Sequence, residues 1–538
     1  MGYARLLLFV YLVCADVVLC ILPTDEIILS QGKLRGVKLN GYNAYLGVPY
    51  ASVVKRYREA GPEPSWSGTF LAINGNIKCN QMLPIVNTPV GQEDCLVANI
   101  YTPSNTKARN LPVMVFIHGG GFYYGSNTNL LYDPKYLVQK DVIVVAINYR
   151  LGAFGFLCLN GTEATGNMGF KDQIASLRWI NRNIETFGGD PNMVTLIGES
   201  AGATSVHYIL LYEQAKGLFR RAILESGSIL IPVSFGENPL DDARNFVSKL
   251  GSTATDPFEI LKFMEERDAT EIIKGSFVNT KNDIKRPYIF KPCAEDPQSQ
   301  SAFITTSPRK LLKSAKLDPD VDVIIGFNDK EGIMFAGLFN TDGIRHLNND
   351  FSRIIPRNLK FKNKEEKINF EESVKKFYFD NKPISSTNYS GLINYFTDYI
   401  MIYPAIESME TLLTNNLNVY NYLFAYDSMR NLNKIVSGLP FTPGANHADE
   451  LFYIFDPIIY KLLPTLPNDG RIVDIMTSYW TNFAKTGVPS ANGVVDWLKS
   501  EPDNLKFLRV GNDVKMTSMP FKERVLFWKE VYTTYASF

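Results

Sequence analysis

The chain has no excess of charge of either sign, since 55 lysine and arginine residues balance 55 aspartate and glutamate residues. A nucleic-acid-binding surface needs a basic excess, so this balance argues against a nucleic-acid partner. The phosphate-binding patterns G-x-x-x-x-G-K-[ST] and G-x-G-x-x-G and the redox or metal pattern C-x-x-C are missing as well. The sequence therefore predicts a protein that uses neither a bound metal nor another cofactor.

Long apolar runs are scarce, and the one candidate for a membrane span lies within residues 1–20. Asp16 interrupts this run before it reaches the roughly 20 apolar residues that a span requires. Arg5 gives the N-terminal region of this segment a positive charge, and the small residues Ala15 and Cys20 offer alternative cleavage sites. A membrane anchor is the alternative, but the pattern favours a secretory signal peptide over residues 1–20. We therefore expect an extracellular protein with no stable membrane anchor.

Cysteine is sparse, and four cysteines follow the predicted signal peptide. Cys79 and Cys95 are close in the chain and bracket a loop of about 15 residues, which makes them the best disulfide pair. Cys158 follows an apolar stretch, so we expect it to pack as a small hydrophobic residue. The sequence assigns no partner to Cys293. Two N-glycosylation acceptor sequences are consistent with export and lie at Asn160 and Asn388.

Short apolar runs alternate with helical patterns along the chain. This alternation indicates an α/β fold with a mostly parallel central sheet and helices on both faces. No linker, repeat or low-complexity segment divides the chain, so we predict a single domain over residues 21–538. The predicted strands are 113–117, 142–147, 193–197, 222–224, 321–325 and 419–425, and the main predicted helices are 170–183, 201–212 and 241–250.

The pentapeptide G-E-S-A-G at residues 198–202 joins a predicted strand to a predicted helix. In a G-x-S-x-G motif of this kind the serine lies on a strained turn that exposes its hydroxyl, and the glycines avoid clashes with neighbouring backbone. Ser200 is therefore a candidate nucleophile for attack on a carbonyl carbon.

A serine hydroxyl needs a base, which is usually histidine, and the chain has four histidines. His207 lies seven residues along the helix from Ser200, about 10 Å away, and cannot reach the hydroxyl. His118 begins a glycine-rich turn, where it shapes a loop, and His346 lies in a polar segment that we expect to be solvated. His447 follows the last predicted strand within a loop, where a catalytic base is expected.

The third member of such a triad is an acid between the serine and the histidine in the chain. Asp329 and Glu331 both follow the strand 321–325, and their positions alone leave the choice open. An oxyanion hole would take its N–H groups from the residue after the nucleophile and from a glycine-rich loop. The candidate donors are Ala201, Gly120 and Gly121.

Together these motifs resemble the type-B carboxylesterase/cholinesterase family of α/β-hydrolases over most of the predicted mature chain. The motifs that carry the resemblance lie at residues 45–51, 93–101, 148–152, 166–173, 187–191, 198–202 and 326–332. The family motif G-x-N-x-x-E-G at 326–332 implies Glu331 as the acid and Asp329 as a bystander. The resemblance also supports the oxyanion-hole assignment, His447 as the base, and the disulfide between Cys79 and Cys95.

The family pattern implies two further residues near the triad. Ser226 matches a serine that supports the triad without belonging to it. Glu199 would lie in the wall of the substrate pocket. The resemblance also implies a small-molecule ester substrate for a serine esterase, and it leaves the oligomeric state open.

Departures from the family pattern narrow the range of expected substrates. Cholinesterases carry a tryptophan in the loop 79–95 that holds choline by a cation–π interaction, whereas this loop has no aromatic residue. Insect juvenile hormone esterases typically have glutamine where Glu199 stands here. General secreted insect carboxylesterases are therefore the most similar group. An esterase specialised for juvenile hormone or odorant esters, and a noncatalytic binding relative, are the alternatives.

Overall fold

The computed structural model describes residues 22–83, 86–104, 110–276, 289–461 and 466–536. The predicted signal peptide, residues 1–20, lies outside these ranges. None of the described helices is both long and apolar enough to cross a bilayer.

The strands are β1 Leu22–Pro23, β2 Ile27–Leu29, β3 Gly32–Arg35, β4 Val37–Leu39, β5 Tyr42–Pro49, β6 Thr69–Leu71, β7 Gln81–Leu83, β8 Thr88–Val90, β9 Val97–Pro103, β10 Leu111–Ile117, β11 Ile143–Ile147, β12 Gly189–Glu199, β13 Arg221–Glu225, β14 Asp322–Asn328, β15 Asn418–Phe424, β16 Lys506–Val510 and β17 Val514–Ser518.

The helices lie mainly between and after the central strands. A π-helix, Thr397–Ile402, connects two of them. The α-helices are α1 Asn129–Tyr132, α2 Lys135–Val138, α3 Gly152–Phe156, α4 Met168–Asn183, α5 Ala201–Leu211, α6 Pro239–Lys249, α7 Pro257–Glu266, α8 Ala269–Ser276, α9 Pro308–Ser314, α10 Ile333–Ala336, α11 Thr341–Asn349, α12 Lys364–Phe379, α13 Tyr389–Phe396, α14 Tyr403–Thr414, α15 Leu432–Val436, α16 Pro467–Thr486 and α17 Lys522–Tyr535.

A twelve-stranded sheet forms the centre of the described structure, in the order β1-β4-β5-β9-β11-β10-β12-β13-β14-β15-β16-β17. From β11 to β16 every neighbouring pair is parallel. The pairs outside this segment are antiparallel. The predicted α/β-hydrolase architecture, with a mostly parallel sheet, is confirmed.

The sheet is buried on both faces, as the side chains of β10 illustrate. Val113, Val115 and Ile117 belong to one apolar core, and Met114 and Phe116 belong to the core on the opposite face. This alternation follows from the two-residue period of a strand. Helices α4 and α5 contribute buried side chains to the first core, and α2 and α16 contribute to the second.

The strands extend beyond the apolar runs predicted from the sequence, and β13 shows why. The predicted strand 222–224 is flanked by charged residues that also pair in the sheet. The Arg221 guanidinium donates a hydrogen bond to the Ala484 carbonyl at 3.0 Å, and Glu225 accepts one from the Trp480 indole at 2.6 Å. These tertiary partners allow buried charged groups to remain within the strand.

The structure contains two disulfides, Cys79–Cys95 and Cys158–Cys293. The first is the pair favoured by the sequence. The expectation that Cys158 packs as a small hydrophobic residue is wrong, because the fold brings Cys293 against it across 135 residues of chain. Local sequence could not predict this contact, since it depends on how two distant loops meet.

Candidate active site

Ser200 lies on the turn between β12 and α5, with φ 57° and ψ −121°. This left-handed conformation is strained for a residue with a side chain. A Cβ on Gly202 would overlap the carbonyl oxygen of Ile117, and a Cβ on Gly198 would overlap that of Gly202. The Ser200 N–H donates to the Glu225 carbonyl at 2.8 Å, so the neighbouring strand holds the turn in place.

His447 and Glu331 meet at the carboxyl edge of the parallel strands. Glu331 follows β14 and His447 follows β15, and the two strands are paired through Asn328 and Phe424. His447 Nδ1 lies 2.6 Å from Glu331 Oε2, and both side chains are buried. Because the partner is a carboxylate, Nδ1 carries the hydrogen and donates it. This leaves Nε2 as the ring nitrogen that can accept a proton.

Glu331 is held in place through its second oxygen. Oε1 accepts a hydrogen bond from the Ser226 hydroxyl at 2.6 Å and one from the Asn328 N–H at 2.7 Å. Ser226 itself has a positive φ of 52°, which is unusual for a residue with a side chain. Glu331 is therefore fixed in the orientation in which its other oxygen contacts His447.

Asp329, the second candidate acid, does not contact the imidazole. Its carboxylate accepts a hydrogen bond from the Ala445 N–H at 2.8 Å. Burial raises the pKa of Asp329, and the hydrogen bond from Ala445 opposes that rise. Asp329 thus shapes the loop that carries His447, and the choice between the two carboxylates is decided by side-chain direction.

Glu199 lies on the other side of the His447 ring. Its Oε1 is 3.2 Å from His447 Nε2, so the ring stands between two buried carboxylates. Burial alone would lower the pKa of His447, but the charges of Glu199 and Glu331 outweigh it and raise the pKa to about 9. Burial raises the pKa of Glu199 to about 8 against the opposing effect of His447. Both pKa values lie above neutral pH, so His447 and Glu199 titrate together as a coupled pair that keeps its protons around neutral pH.

Two more buried acids surround this group, and the sequence analysis did not identify them. Glu450 Oε1 lies 3.2 Å from the Ser226 hydroxyl oxygen, and the Glu450 carboxylate accepts a hydrogen bond from the Asn328 amide. Burial and the charge of Glu331 raise its pKa to about 7. Glu225 lies directly before Ser226, and burial raises its pKa well above the ordinary range. Glu450 stands three residues after His447, and Asn328 stands inside the motif 326–332. Their proximity in the chain to His447 and Glu331 was the signal that could have identified them.

The glycine-rich loop after β10 passes close to the nucleophile turn. A Cβ on Gly119 would lie 2.6 Å from Glu199 Oε2 and 3.1 Å from the Ser200 Cβ. Gly120 and Gly121 follow with φ of 101° and 62°. Ala201 is the first residue of α5, so the helix does not use its N–H. These three candidate donors therefore lie on two segments that meet at Ser200.

The remaining histidines lie away from this arrangement. His118 is buried, with Nδ1 2.9 Å from the Gly119 carbonyl oxygen and its ring stacked on Tyr149. His207 is buried in α5, where burial lowers its pKa to about 3. His346 is exposed on α11. Among the described residues, no group of three or more His, Cys, Asp or Glu side chains could hold a metal ion.

Comparison with known proteins shows the family to which the chain belongs. Residues 23–528 match the Carboxylesterase family. Esterase E4 of Myzus persicae is 32% identical over 90% of this chain and 91% of that protein. Juvenile hormone esterase of Heliothis virescens is 33% identical over 86% of this chain and 85% of that protein.

A solved structure is similar as well. The crystal structure of juvenile hormone esterase from Manduca sexta, with OTFP covalently attached, superposes with a TM-score of 0.83. It is 30% identical and covers 94% of this chain and 99% of that chain. The fold, the match over nearly the whole sequence and these relatives establish that the chain belongs to the carboxylesterase family and is a carboxylic ester hydrolase.

Proposed function

We propose that the protein is a secreted serine carboxylesterase that hydrolyses uncharged carboxylic esters through an acyl-enzyme intermediate. We further propose that one carboxylesterase-type domain spans residues 21–538. The observation that carries the catalytic proposal is the buried pair His447 and Glu331 beside the strained turn of Ser200. A serine hydroxyl becomes nucleophilic when a positioned imidazole accepts its proton, and a carboxylate on Nδ1 orients that imidazole.

In the first step the Ser200 oxygen forms a bond to the carbonyl carbon of the ester, and its proton passes to His447 Nε2. The negative charge on the former carbonyl oxygen is stabilised by the N–H groups of Gly120, Gly121 and Ala201. The bond to the alcohol oxygen then breaks, and that oxygen takes the proton from Nε2. The acyl group remains on Ser200.

In the second step water replaces the alcohol. His447 Nε2 accepts a proton from the water as its oxygen bonds to the acyl carbon, and the proton then returns to the Ser200 oxygen as the carboxylic acid leaves. Nε2 can accept a proton only after it has released the proton that it holds next to Glu199. Activity should therefore rise with pH as this pair is deprotonated.

The charge of the site supports an uncharged substrate. Glu199 and Glu331 are buried on either side of His447, and the negative charge that they carry when ionised disfavours an anionic substrate. The loop 79–95 has no aromatic ring that could hold a quaternary ammonium group by a cation–π interaction. Esters that are neutral on both the acyl and the alcohol side fit these properties best.

Secretion is supported by the signal-peptide pattern of residues 1–20 and by the two disulfides, which persist in oxidising compartments. Asn160 is exposed and Asn388 is half-buried, so we propose both as glycosylation sites. Expression in insect cells with the native leader should yield protein in the medium. Its N-terminus should begin after Ala15 or Cys20, and its mass should fall on treatment with an N-glycosidase.

The catalytic proposal is tested with the variant Ser200→Ala. Wild-type protein should hydrolyse p-nitrophenyl acetate and react once per chain with a fluorophosphonate, and the variant should do neither while keeping its melting temperature. Ser314→Ala, a substitution on the surface helix α9, serves as the matched control. Undiminished turnover by Ser200→Ala would refute the assignment of the nucleophile. A wild-type protein that neither turns over esters nor reacts with the probe would point to a noncatalytic relative.

An esterase specialised for juvenile hormone is the second candidate, favoured by the similarity to juvenile hormone esterases. Glu199 stands against it, because a buried acid replaces the glutamine typical of those enzymes. Comparing kcat/KM for juvenile hormone III with that for p-nitrophenyl acetate decides between them. A large preference for the hormone would favour the specialised enzyme.

A further inference from the structure

A small cavity of about 40 Å³ lies beside the loop that follows the oxyanion glycines. Helix α8 packs against the hairpin β7–β8 on one side and against α3 on the other. The cavity lies in the gap between these three elements, and we refer to it as the hairpin cavity. Most of its wall is apolar and is formed by Met82, Leu151, Phe154 and Ile273.

Two buried polar groups in the wall of the hairpin cavity have no hydrogen-bond partner. They are the amide nitrogen of Asn80 and the hydroxyl of Ser276. Asn80 is 7% exposed and Ser276 is 6% exposed, so bulk water does not satisfy them. Leaving a buried donor unpaired is costly, and native proteins rarely do so. Because both groups can donate, the missing partner is an acceptor oxygen.

The cavity is built on a rigid frame. The Gln81 amide donates to the Gly125 carbonyl at 2.8 Å and accepts from the Gly125 N–H at 2.9 Å, which ties the hairpin to the glycine-rich loop. Tyr123 also lines the cavity, and its hydroxyl accepts a hydrogen bond from the Phe290 N–H. These contacts keep the wall in place before any ligand binds, which lowers the entropic cost of binding.

One lining residue, Tyr123, connects the hairpin cavity to the glycine-rich loop of the candidate site. Tyr123 lies three residues after Gly120, and its N–H donates to the Gly120 carbonyl at 3.0 Å. The loop that would stabilise the oxyanion therefore continues directly to a residue of the cavity wall.

We propose that the hairpin cavity binds the distal end of a long, apolar ester that carries a second acceptor oxygen. The inference rests on the proposed esterase function and adds the substrate class. The apolar wall contacts the hydrocarbon chain, and Asn80 and Ser276 donate hydrogen bonds to the second oxygen, for example that of a ketone or an ether. Small pockets of this kind obtain specificity from a few polar groups in an apolar wall.

The first test uses p-nitrophenyl acetate, p-nitrophenyl decanoate and decanoates with a keto group moved along the chain. Wild type should favour the best-placed keto ester over plain decanoate by about tenfold in kcat/KM, the effect of one buried hydrogen bond. Asn80→Leu and Ser276→Ala should lose this preference while acetate turnover stays within about twofold. Ser314→Ala should behave as wild type.

The second test fills the cavity. Ile273→Trp should reduce the preference for decanoate over acetate by about three- to fourfold for each methylene excluded. Ile368→Trp, at an exposed position on α12, is the matched control. Unchanged selectivity in Asn80→Leu, Ser276→Ala and Ile273→Trp, with acetate still hydrolysed, would mean that the cavity holds only water and would overturn the inference.

A binding measurement separates this inference from the proposed function. Titration of 2-undecanone into Ser200→Ala protein by calorimetry should give saturable binding that Ile273→Trp weakens at least tenfold. This result does not require turnover. Absence of ester hydrolysis by wild type would therefore refute the esterase proposal, whereas absence of saturable ketone binding would refute the cavity proposal.

Discussion

Replacing Glu199 by glutamine should move the acidic limb of the activity profile to lower pH. Glu199 Oε1 lies 3.2 Å from His447 Nε2, the nitrogen that accepts the proton of Ser200 in the proposed mechanism. A carboxylate at this distance favours the protonated imidazole, and an amide of the same shape does not. The substitution therefore keeps the packing of the site and removes a single charge.

The size of the effect follows from the pKa of His447. Its rise from 6.5 to about 9 corresponds to about 3 kcal/mol, at 1.36 kcal/mol for each pKa unit. Burial opposes this rise, and Glu199 is the largest of the groups that cause it. Glu331 remains in the variant and still raises the pKa. We therefore expect the limb to fall by about one to two pH units.

The assay is kcat/KM for p-nitrophenyl acetate from pH 5 to pH 9.5, followed in a pH-stat, with Glu410→Gln as a surface control. The control should leave the limb in place, because Glu410 lies on α14 and pairs with Lys529 at 3.1 Å. A limb that stays in place or moves upward in Glu199→Gln would refute the argument that Glu199 holds the proton on His447.

Two further predictions concern stability. Replacing Cys158 and Cys293 together by serine should lower the free energy of unfolding by up to about 5 kcal/mol, because the bond closes a loop of 135 residues. Urea unfolding measures this, and an unchanged midpoint would contradict it. Asp172→Asn should cost about 3–5 kcal/mol, because it leaves the buried Arg150 guanidinium, bonded to Asp172 at 2.6 and 2.8 Å, without its countercharge. Equal stability of variant and wild type in the same urea experiment would show that Arg150 finds another partner.

The central part of the fold was predictable because its signals are local. Each parallel strand from β10 to β15 carries a buried apolar run, and the alternation with helices indicates a sheet covered on both faces. The antiparallel strands at the edges were not predicted. Strands such as β4 and β17 are short and partly exposed, so their sequences lack a continuous apolar run.

The site shows the same division between local and distant information. The turn at Ser200 was predicted from five residues, because such a strained turn demands glycine at fixed neighbouring positions. The residues of the strand did not decide between Asp329 and Glu331, since both follow β14, and the family resemblance was needed to choose. The structure places Glu331 on the imidazole and Asp329 on the Ala445 N–H.

By itself, the sequence determined where the nucleophile turn, the glycine-rich loop and the parallel strands lie, because each depends on backbone constraints within a few residues. Tertiary structure alone decided that Cys158 meets Cys293, that Glu450 lies beside Ser226 and Asn328, and that Asn80 and Ser276 face a shared cavity. These contacts join segments far apart in the chain. Their partners are selected by the packing of the whole fold, and no short pattern of residues predicts that packing.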